Sequence, residues 1–368
     1  MKEIIMKNSS GEKTTLNMPG YRKIVFTIVT FILFIILMEG GLRLFYFVKD
    51  KIHGSRMSFS DYIGWENIPG ISWKYLVSGY GEIEYSTKRF GFRLFGDVNS
   101  NKTKIFVIGD SLTQCSTVSD GKTYYDYIKK NNNNVEMFSY GCGGYGSLQE
   151  YMIIDKYYDV IKPHMILWQF TSNDIINNDH ELESASFRHN NHMTRPYYKD
   201  GRIERLYPKQ NRGWFYATVQ ASYILRLVDI RVNILKAEKY GSIEDELSED
   251  HPLFKRAVNT TSEIMGLVRK RVGNIPIVAF CGINEKWLGD TFLKICKKYD
   301  IQYIQNIPES IEKAKEFGMI VDGSPNDAHW NDVGHSIVGK IILDYLIENN
   351  LLQMEGLSRD AGSHYSDQ

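Results

Sequence analysis

The stretch Ile105-Phe-Val-Ile-Gly-Asp-Ser-Leu-Thr113 joins an apolar, β-branched run to a segment that can begin a helix. This order predicts a buried strand that carries Ser111 to the C-terminal edge of a sheet. Open α/β sheets bind their ligands at that edge, and the N–H groups of a helix N-terminus favour developing negative charge. A plainer alternative is that Asp110 and Ser111 only cap the helix, since both residue types are good caps.

Three further polar segments lie downstream, each after an apolar run or close to the end of the sequence. They are Ser139-Tyr-Gly141-Cys-Gly143-Gly144-Tyr-Gly146, Thr171-Ser172-Asn173-Asp174 and Asp327-Ala-His329-Trp330-Asn331. Together with Ser111, these segments match in order the four blocks of the SGNH (GDSL-type) hydrolase family. The chain resembles this family over roughly residues 100–180 and 275–350.

Apolar runs and helical patterns alternate along the chain, which predicts a doubly wound α/β sheet with parallel strands. The predicted strands are 104–109, 135–139, 165–170, 275–280 and 302–304, and the predicted helices are about 121–131, 147–161, 251–272, 286–299, 308–317 and 331–348. The family resemblance implies the same class of fold, a flavodoxin-like three-layer sandwich.

The predicted domain covers residues 101–350, preceded by a hairpin region at 57–100 and followed by a disordered tail at 351–368. Residues 175–250 interrupt the alternation with a polar stretch and then a helical stretch near 214–239. This insertion either caps the substrate site or is a surface excursion.

An apolar run extends from Ile24 to Val48 with only Glu39 and Arg43 as charges. It is long enough to span a bilayer, and the two charges, four residues apart, can pair near the interface. We expect a single-pass signal anchor and not a cleaved signal peptide, because no small-x-small cleavage site follows. Basic residues abut the start of the run, so we expect residues 1–23 in the cytoplasm and the catalytic body outside, in a bacterial-type cell envelope.

The chain has 368 residues, 43% of them hydrophobic, and a formal net charge of zero. Such a chain can bury a large core, and its neutral balance gives no footprint for nucleic-acid binding. The four cysteines show neither a CxxC pattern nor zinc spacing, so no metal site is predicted. Cys115 and Cys142 fall beside the predicted active-site loops, where they either pair or remain buried free thiols.

Ser111 is the candidate nucleophile. A serine hydroxyl needs an adjacent base, and His329 can supply one because an unperturbed imidazole titrates near pH ~6.5. Asp327 is the candidate acid that orients this imidazole and stabilises the imidazolium. The common family pattern places the acid three residues before the histidine, where this chain has Asn326. His335, on the same predicted helix, is interpreted as structural.

The resemblance assigns three donors to an oxyanion hole: the backbone N–H of Ser111, the backbone N–H of Gly144 and the side-chain amide of Asn173. Preorganised donors of this kind stabilise the charge that develops during acyl transfer. Gly144 suits the role because glycine lets the backbone approach a substrate closely. Arg195 and Tyr197, in the polar part of the insertion, are candidates for binding a sugar or an anionic group.

These assignments predict a membrane-anchored serine esterase that removes O-acyl groups from a cell-envelope or exported glycan through a Ser-His-Asp triad and an acyl-enzyme. The chemistry requires no cofactor. The Asp-x-His-Trp segment is similar to that of SGNH-like polysaccharide O-acetyltransferases, so transfer to a sugar hydroxyl, with the help of a membrane partner, is the alternative. A third hypothesis is an inactive carbohydrate-binding or scaffolding module on the same fold.

Overall fold

The computed structural model of the protein describes most of the chain. The described residues are 6–7, 13–14, 20–53, 56–77, 81–186, 188–208, 218–219, 221–240, 243–248, 250–283, 286–323 and 329–353. They fall into two compact units, one drawn from residues 1–54 and 212–235 and the other from residues 55–211 and 236–368.

Strands and helices are numbered here in chain order. The strands are β1 (Met6–Lys7), β2 (Lys13–Thr14), β3 (Met57–Ser60), β4 (Gly64–Asn67), β5 (Ser72–Val77), β6 (Gly81–Ser86), β7 (Leu94–Phe95), β8 (Thr103–Gly109), β9 (Val135–Gly141), β10 (Met165–Phe170), β11 (Arg195–Lys199), β12 (Arg202–Leu206), β13 (Ile277–Cys281) and β14 (Gln302–Ile304). The helices are α1 (Gly20–His53), α2 (Ser111–Gln114), α3 (Tyr124–Asn131), α4 (Ser147–Ile161), α5 (Ser172–Asn177), α6 (His180–Ala185), α7 (Tyr223–Tyr240), α8 (Ile243–Glu246), α9 (Pro252–Val272), α10 (Lys286–Lys298), α11 (Ile307–Glu316) and α12 (Asp332–Glu348).

The larger unit is built on a six-stranded sheet with the order β14-β13-β10-β8-β9-β7. The first five strands of this order are parallel, and β7 pairs antiparallel with β9 at the edge. Numbered by their sequence order, the parallel strands run 2-1-3-4-5 across the sheet, which is the flavodoxin-like arrangement. The predicted doubly wound fold is therefore confirmed, and its topological switch point lies between β8 and β10.

Side chains of the sheet alternate between two apolar cores. On β8, Phe106 and Ile108 join one core, while Ile105 and Val107 join the other, and all four side chains are fully buried. Because successive residues of a strand face opposite sides, a strand that is covered on both faces reads as a continuous apolar run. Each such buried aliphatic side chain contributes about 1.5–3 kcal/mol to folding.

Helices cover both faces of the sheet, which completes the three layers. Helices α4, α9 and α10 supply Met152, Ile264 and Phe292 to the first core. Helices α3 and α12 supply Ile128 and Val338 to the second core.

Two antiparallel hairpins, β3–β4 and β5–β6, occupy the region 57–100. The hairpin β11–β12 and the helices α6 to α8 occupy the insertion 175–250. The predicted tail falls outside the described residues from 354 onward.

The smaller unit contains α1. Its residues Gly20–Val48 contain an 18-residue window with a mean hydropathy of 2.4, and none of that window is buried. By length and composition this helix could cross a membrane, and a signal sequence has the same properties.

Candidate active site

Ser111 stands at the point where β8 gives way to α2. The side chain of Asp110 caps the helix by accepting a hydrogen bond of 3.0 Å from the Leu112 N–H. A side chain at Gly109 would collide with those of Thr113 and Gln169, so glycine permits the tight turn from strand to helix. Both the capping role and the functional role predicted for this segment are thus compatible, because Asp110 caps and Ser111 faces the cleft described below.

His329 lies against the nucleophile. Its Nε2 atom is 2.8 Å from the Ser111 Oγ, which is the distance of a serine–base hydrogen bond. The next residue, Trp330, is 1% exposed and anchors the segment in the core. Asn331 then caps α12, its Oδ1 accepting the N–H groups of Val333 at 2.9 Å and Gly334 at 3.0 Å. The two residues that follow His329 are therefore fixed, the first as a buried ring and the second as a helix cap, and they hold the histidine in place.

Asp327, the candidate acid, lies outside the described residues, as does Asn326, which occupies the position where the common family pattern has the acid. The assignment of the acid to Asp327 stays a prediction.

The peptide between Gly143 and Gly144 is fixed from behind. The indole Nε1 of Trp65 donates a hydrogen bond of 3.0 Å to the Gly143 carbonyl. In a planar trans peptide the N–H points opposite to the C=O, so this bond directs the Gly144 N–H away from Trp65. Among the described residues, neither the Gly144 N–H nor the Ser111 N–H has a hydrogen-bond acceptor. Both groups are therefore available as donors to a ligand.

The carbonyl of Gly144 is held as well. It accepts hydrogen bonds from Arg195 Nη2 at 2.6 Å and from Asn191 Nδ2 at 3.3 Å. Gly144 has a φ of +76°, and a Cβ there would come within 2.8 Å of the Asn191 side chain. Backbone conformation and crowding both require glycine at this position.

Asn173 lies in the first turn of α5, directly after β10. Its Nδ2 donates a hydrogen bond of 2.9 Å to the Tyr145 carbonyl, and its Oδ1 accepts a hydrogen bond from the Thr171 hydroxyl. These contacts fix the amide plane. A side-chain amide carries two N–H bonds, so one remains after the bond to Tyr145.

A cleft of about 620 Å³ brings the predicted catalytic groups together. It is lined by Asp110, Ser111, Leu112, Gly144, Thr171, Ser172, Asn173, Asn177, Arg188, His189, Asn191, Ile283 and His329. Four of these residues, Asn177, Arg188, His189 and Asn191, come from the insertion. The insertion therefore contributes to the wall of the cleft.

Three carboxyl groups are buried beneath the cleft. A carboxylate oxygen of Asp110 lies 2.8 Å from the Thr171 hydroxyl, which shares its single proton between Asp110 and Asn173 Oδ1. Asp174 accepts hydrogen bonds from the Thr171 N–H at 2.8 Å and from the Ser147 hydroxyl at 3.1 Å. Glu150 is fully buried and accepts a hydrogen bond of 2.6 Å from Trp168 Nε1.

Burial, and then the neighbouring Asp174 carboxyl, raise the pKa of Glu150 well above its usual range. Burial raises the pKa of the neighbouring Asp174 carboxyl as well, while the Thr171 N–H and the Ser147 hydroxyl favour its ionised form. The pair anchors the segment that precedes Asn173.

The structure places Arg195 and Tyr197, the two residues predicted to bind substrate, away from this cleft. Their exposed fractions are 0% and 2%, and neither side chain lines the cleft. Tyr197 donates a hydrogen bond of 2.8 Å to Glu183, and Arg195 Nε lies 3.3 Å from the same carboxylate. The guanidinium of Arg195 stacks 4.8 Å from the Trp65 ring and reaches Gly144 from inside the protein. These residues support the glycine loop from behind and do not line the cleft.

The remaining sequence candidates are structural. Cys115 and Cys142 are buried free thiols, and burial raises the pKa of the Cys115 thiol to about 12. His335 is buried against the ring of Tyr124, and burial lowers its pKa to about 3, so it is neutral. Within the described residues, no cluster of three or more His, Cys, Asp or Glu side chains is placed to hold a metal ion.

Sequence reasoning missed the residues that hold the glycine loop. Besides Trp65, Asn67 donates a hydrogen bond of 2.8 Å to the Gly141 carbonyl. Gln114, on α2, connects Asn67 with the glycine loop. Its side chain donates a hydrogen bond to Asn67 Oδ1 at 2.8 Å and accepts one from the Gly143 N–H at 3.2 Å. Asn67 and Trp65 lie on β4, far from the family blocks, so no local signal marks them except the polar Asn67 within a strand that is mostly buried.

No protein-family model and no curated protein matches the chain. Solved structures do. A member of the lipolytic protein G-D-S-L family from Veillonella parvula is 12% identical, with a TM-score of 0.38, over 66% of this chain and 96% of that one. A lipase/acylhydrolase from Enterococcus faecalis is 13% identical, with a TM-score of 0.39, over 68% and 98%.

A two-domain esterase active on acetylated mannans is 13% identical, with a TM-score of 0.40, over 68% of this chain and 50% of the esterase. These proteins are of the kind that the sequence blocks resemble. At such identities and scores the likeness carries no argument about chemistry, which rests on the site itself.

Proposed function

We propose that this chain is a membrane-anchored serine esterase of the SGNH type that removes O-acyl groups from a glycan. The observation that carries the proposal is the 2.8 Å contact between His329 Nε2 and Ser111 Oγ at the C-terminal edge of the sheet. The donors beside that contact, on Ser111, Gly144 and Asn173, supply the stabilisation of negative charge that acyl transfer needs next.

The first half of the reaction forms an acyl-enzyme. His329 takes the proton of Ser111 as the hydroxyl oxygen attacks the carbonyl carbon of the ester. The carbonyl oxygen becomes an oxyanion, which accepts hydrogen bonds from the N–H groups of Ser111 and Gly144 and from the amide of Asn173. The imidazolium then gives its proton to the departing alcohol oxygen, and the acyl group stays on Ser111.

The second half releases the acid. His329 deprotonates a water molecule, whose oxygen attacks the acyl carbon. The oxyanion that forms is stabilised by the same hydrogen-bond donors. Collapse of this intermediate returns the proton to Ser111 Oγ and frees the carboxylic acid. Asp327 is proposed to hold the imidazole in the required tautomer throughout.

The walls of the cleft favour a sugar ester as substrate. Asn177, Arg188, His189 and Asn191 surround the nucleophile with amide, guanidinium and imidazole groups. Such groups can hydrogen-bond to the hydroxyls of a sugar. We therefore propose an O-acyl group, such as acetyl, on a polyhydroxylated carrier.

The anchor is proposed to be α1. Its apolar residues Gly20–Val48 suffice to cross a bilayer, and their side chains are exposed instead of packed in a core. The catalytic body is proposed to lie outside the cytoplasm, where envelope glycans are.

The proposal is tested by assaying the full-length protein with p-nitrophenyl acetate, with and without an oligosaccharide acceptor. We expect acetate release, and covalent labelling of Ser111 by a fluorophosphonate probe. Ser111→Ala should abolish both, because the nucleophile is lost. Ser116→Ala, which changes a nearby serine outside the cleft, should retain both.

Each product has its own meaning. Free acetate alone supports an esterase, whereas acetylated oligosaccharide would correct the proposal to an O-acetyltransferase. Neither turnover nor labelling, in a protein with an intact melting transition, would exclude the serine mechanism and favour an inactive binding module.

A further inference from the structure

Glu39 is a carboxylate within the apolar helix α1, and the start of α7 surrounds it. Its Oε1 accepts the Tyr223 N–H at 3.1 Å, and its Oε2 accepts the Ile224 N–H at 3.1 Å. The Ser222 hydroxyl donates a further bond of 2.9 Å to Oε2. The free N–H groups of a helix N-terminus are good partners for a carboxylate, so Glu39 and α7 satisfy each other.

Two further contacts fix this junction. Arg43 donates hydrogen bonds to Glu39 at 2.9 Å and to the Ala221 carbonyl at 2.6 Å. The ring of Tyr46 stacks on Tyr223 with centroids 5.0 Å apart. Residues 39, 43 and 46 lie on one face of α1, because three- and four-residue steps return to the same side of a helix. The first turn of α7 is therefore attached to α1 at a fixed height.

That height is close to the end of the hydrocarbon span. The uncharged run begins at Ile24, and about 20 residues of helix cross the hydrocarbon core, so Glu39 lies roughly five residues, or about 7 Å of helix, inside its far boundary. Placing a carboxylate in hydrocarbon costs free energy unless the carboxylate is paired. Within the described residues of the smaller unit, α7 supplies the backbone N–H donors to Glu39, and α1 alone does not.

The surface of α7 is apolar where it is exposed. Six large apolar side chains, each at least 39% exposed, follow its first turn: Leu227, Val228, Ile230, Val232, Ile234 and Leu235. The helix also carries four Lys or Arg and two Asp or Glu within 18 residues, too many charges for a helix that crosses hydrocarbon. This composition is typical of a helix that lies in the membrane interface.

We infer that α7 is an interfacial membrane helix, whose exposed apolar side chains are covered by lipid. The inference rests on the proposed anchoring by α1 and adds to it a second contact with the same bilayer. The occupant is lipid because the first turn of α7 is attached to the membrane span itself, near the boundary between hydrocarbon and headgroups. The basic side chains then reach lipid phosphates.

The experiment uses the full-length protein in phospholipid vesicles that contain anionic lipid. Ile230→Cys is labelled with an environment-sensitive fluorophore, and Asp250→Cys, whose native side chain is 97% exposed in the larger unit, is the matched control. The four native cysteines are buried. Labelling of the wild type measures any background.

We expect brominated lipid chains to quench the label at 230 several-fold more than the label at 250, and aqueous iodide to do the reverse. Equal quenching of both labels by iodide would place α7 in water and overturn the inference. Protection of the 230 label from both quenchers would assign the surface to a protein partner and overturn it as well.

Alkaline carbonate extraction of the same vesicles separates the two proposals. Loss of the protein from the vesicles would contradict anchoring by α1 itself. Retention of the protein, with a 230 label open to iodide, would contradict only the role of α7.

Discussion

Trp65 holds the carbonyl end of a peptide whose N–H end faces the cleft. The bond from its indole to Gly143 fixes the direction of the Gly144 N–H without touching any ligand. At the scale of single residues, the donors of this site therefore depend on side chains that stand behind them.

We expect Trp65→Phe to lower kcat about tenfold with little change in KM. The variant keeps an aromatic ring against Arg195 but loses one hydrogen bond, worth about 1–1.5 kcal/mol. Trp73→Phe, the same change in the β5–β6 hairpin, is the matched control.

Rates are divided by the number of active sites titrated with a fluorophosphonate. A merely structural role for Trp65 would reduce the number of titrated sites and leave the rate per site unchanged. That result would contradict a positioning role.

Asp327 is the proposed acid of the triad, and its role is also a property of a single residue. We expect Asp327→Asn to lower the chemical step by a factor on the order of 10⁴, because a neutral amide neither stabilises the imidazolium nor fixes the tautomer as a carboxylate does. Asn326→Ala should cost far less. Single-turnover acylation rates measure the effect directly. Near-normal acylation by the Asp327 variant would remove this residue from the triad and leave a Ser-His dyad.

The sequence marks the proposed catalytic residues more clearly than the residues that support them, for a physical reason. Ser111, Gly144, Asn173 and His329 each follow a strand or precede a helix, so local patterns mark them. The residues that hold them come from elsewhere in the chain and have no local signature. Arg195 shows the opposite case. The sequence predicts that this polar residue in a loop-like stretch binds substrate, whereas in the structure it is buried in a charge pair.

At the scale of elements, α4, β10 and α5 meet at the buried carboxyls Glu150 and Asp174. We expect Glu150→Gln to make stability less dependent on pH. The amide can accept from Trp168 and donate to Asp174 as the protonated acid does. Thermal unfolding of both proteins from pH 5 to pH 8 measures the difference.

The sign follows from the raised pKa of Glu150 in the folded state. Unfolding at higher pH releases its proton, so the wild type loses stability as the pH rises above the ordinary glutamate value of about 4.3. The variant has no such proton, so its melting temperature should rise relative to that of the wild type as the pH approaches 8. Parallel pH profiles for the two proteins would contradict a protonated Glu150.

Element bounds follow the sequence where composition is decisive. β8, β10 and β14 match their predicted ranges within a residue, because β-branched and aromatic runs bounded by turns define them. β13 begins at Ile277, two residues later than predicted, since Pro276 has no N–H to donate to a ladder. The edge strand β7 is two residues long and shows no period, so its pairing with β9 was not predictable.

At the scale of the whole molecule, the doubly wound order was predictable because right-handed crossovers leave few ways to arrange alternating strands and helices. The attachment of α7 to α1 was not, since it joins residues about 180 positions apart through one carboxylate. The orientation of the protein in a membrane is also a property of the whole molecule.

We expect the protein to resist carbonate extraction from membranes, and a protease added to intact cells to cut the catalytic body. Basic residues directly before α1 favour a cytoplasmic N-terminus, which leaves residues beyond 54 outside. Immunoblotting of the fragments reads the result. Complete protection in intact cells, with digestion after lysis, would place the body in the cytoplasm.

Ser111 and His329 are separated by 218 positions. During synthesis, the nucleophile leaves the ribosome long before its base has been made. A growing or partly translocated chain therefore carries Ser111 without its proposed base, and the proposed ester cleavage would start only after His329 has been made and has reached the serine. The order of the two residues along the chain thus acts as a safeguard against premature cleavage.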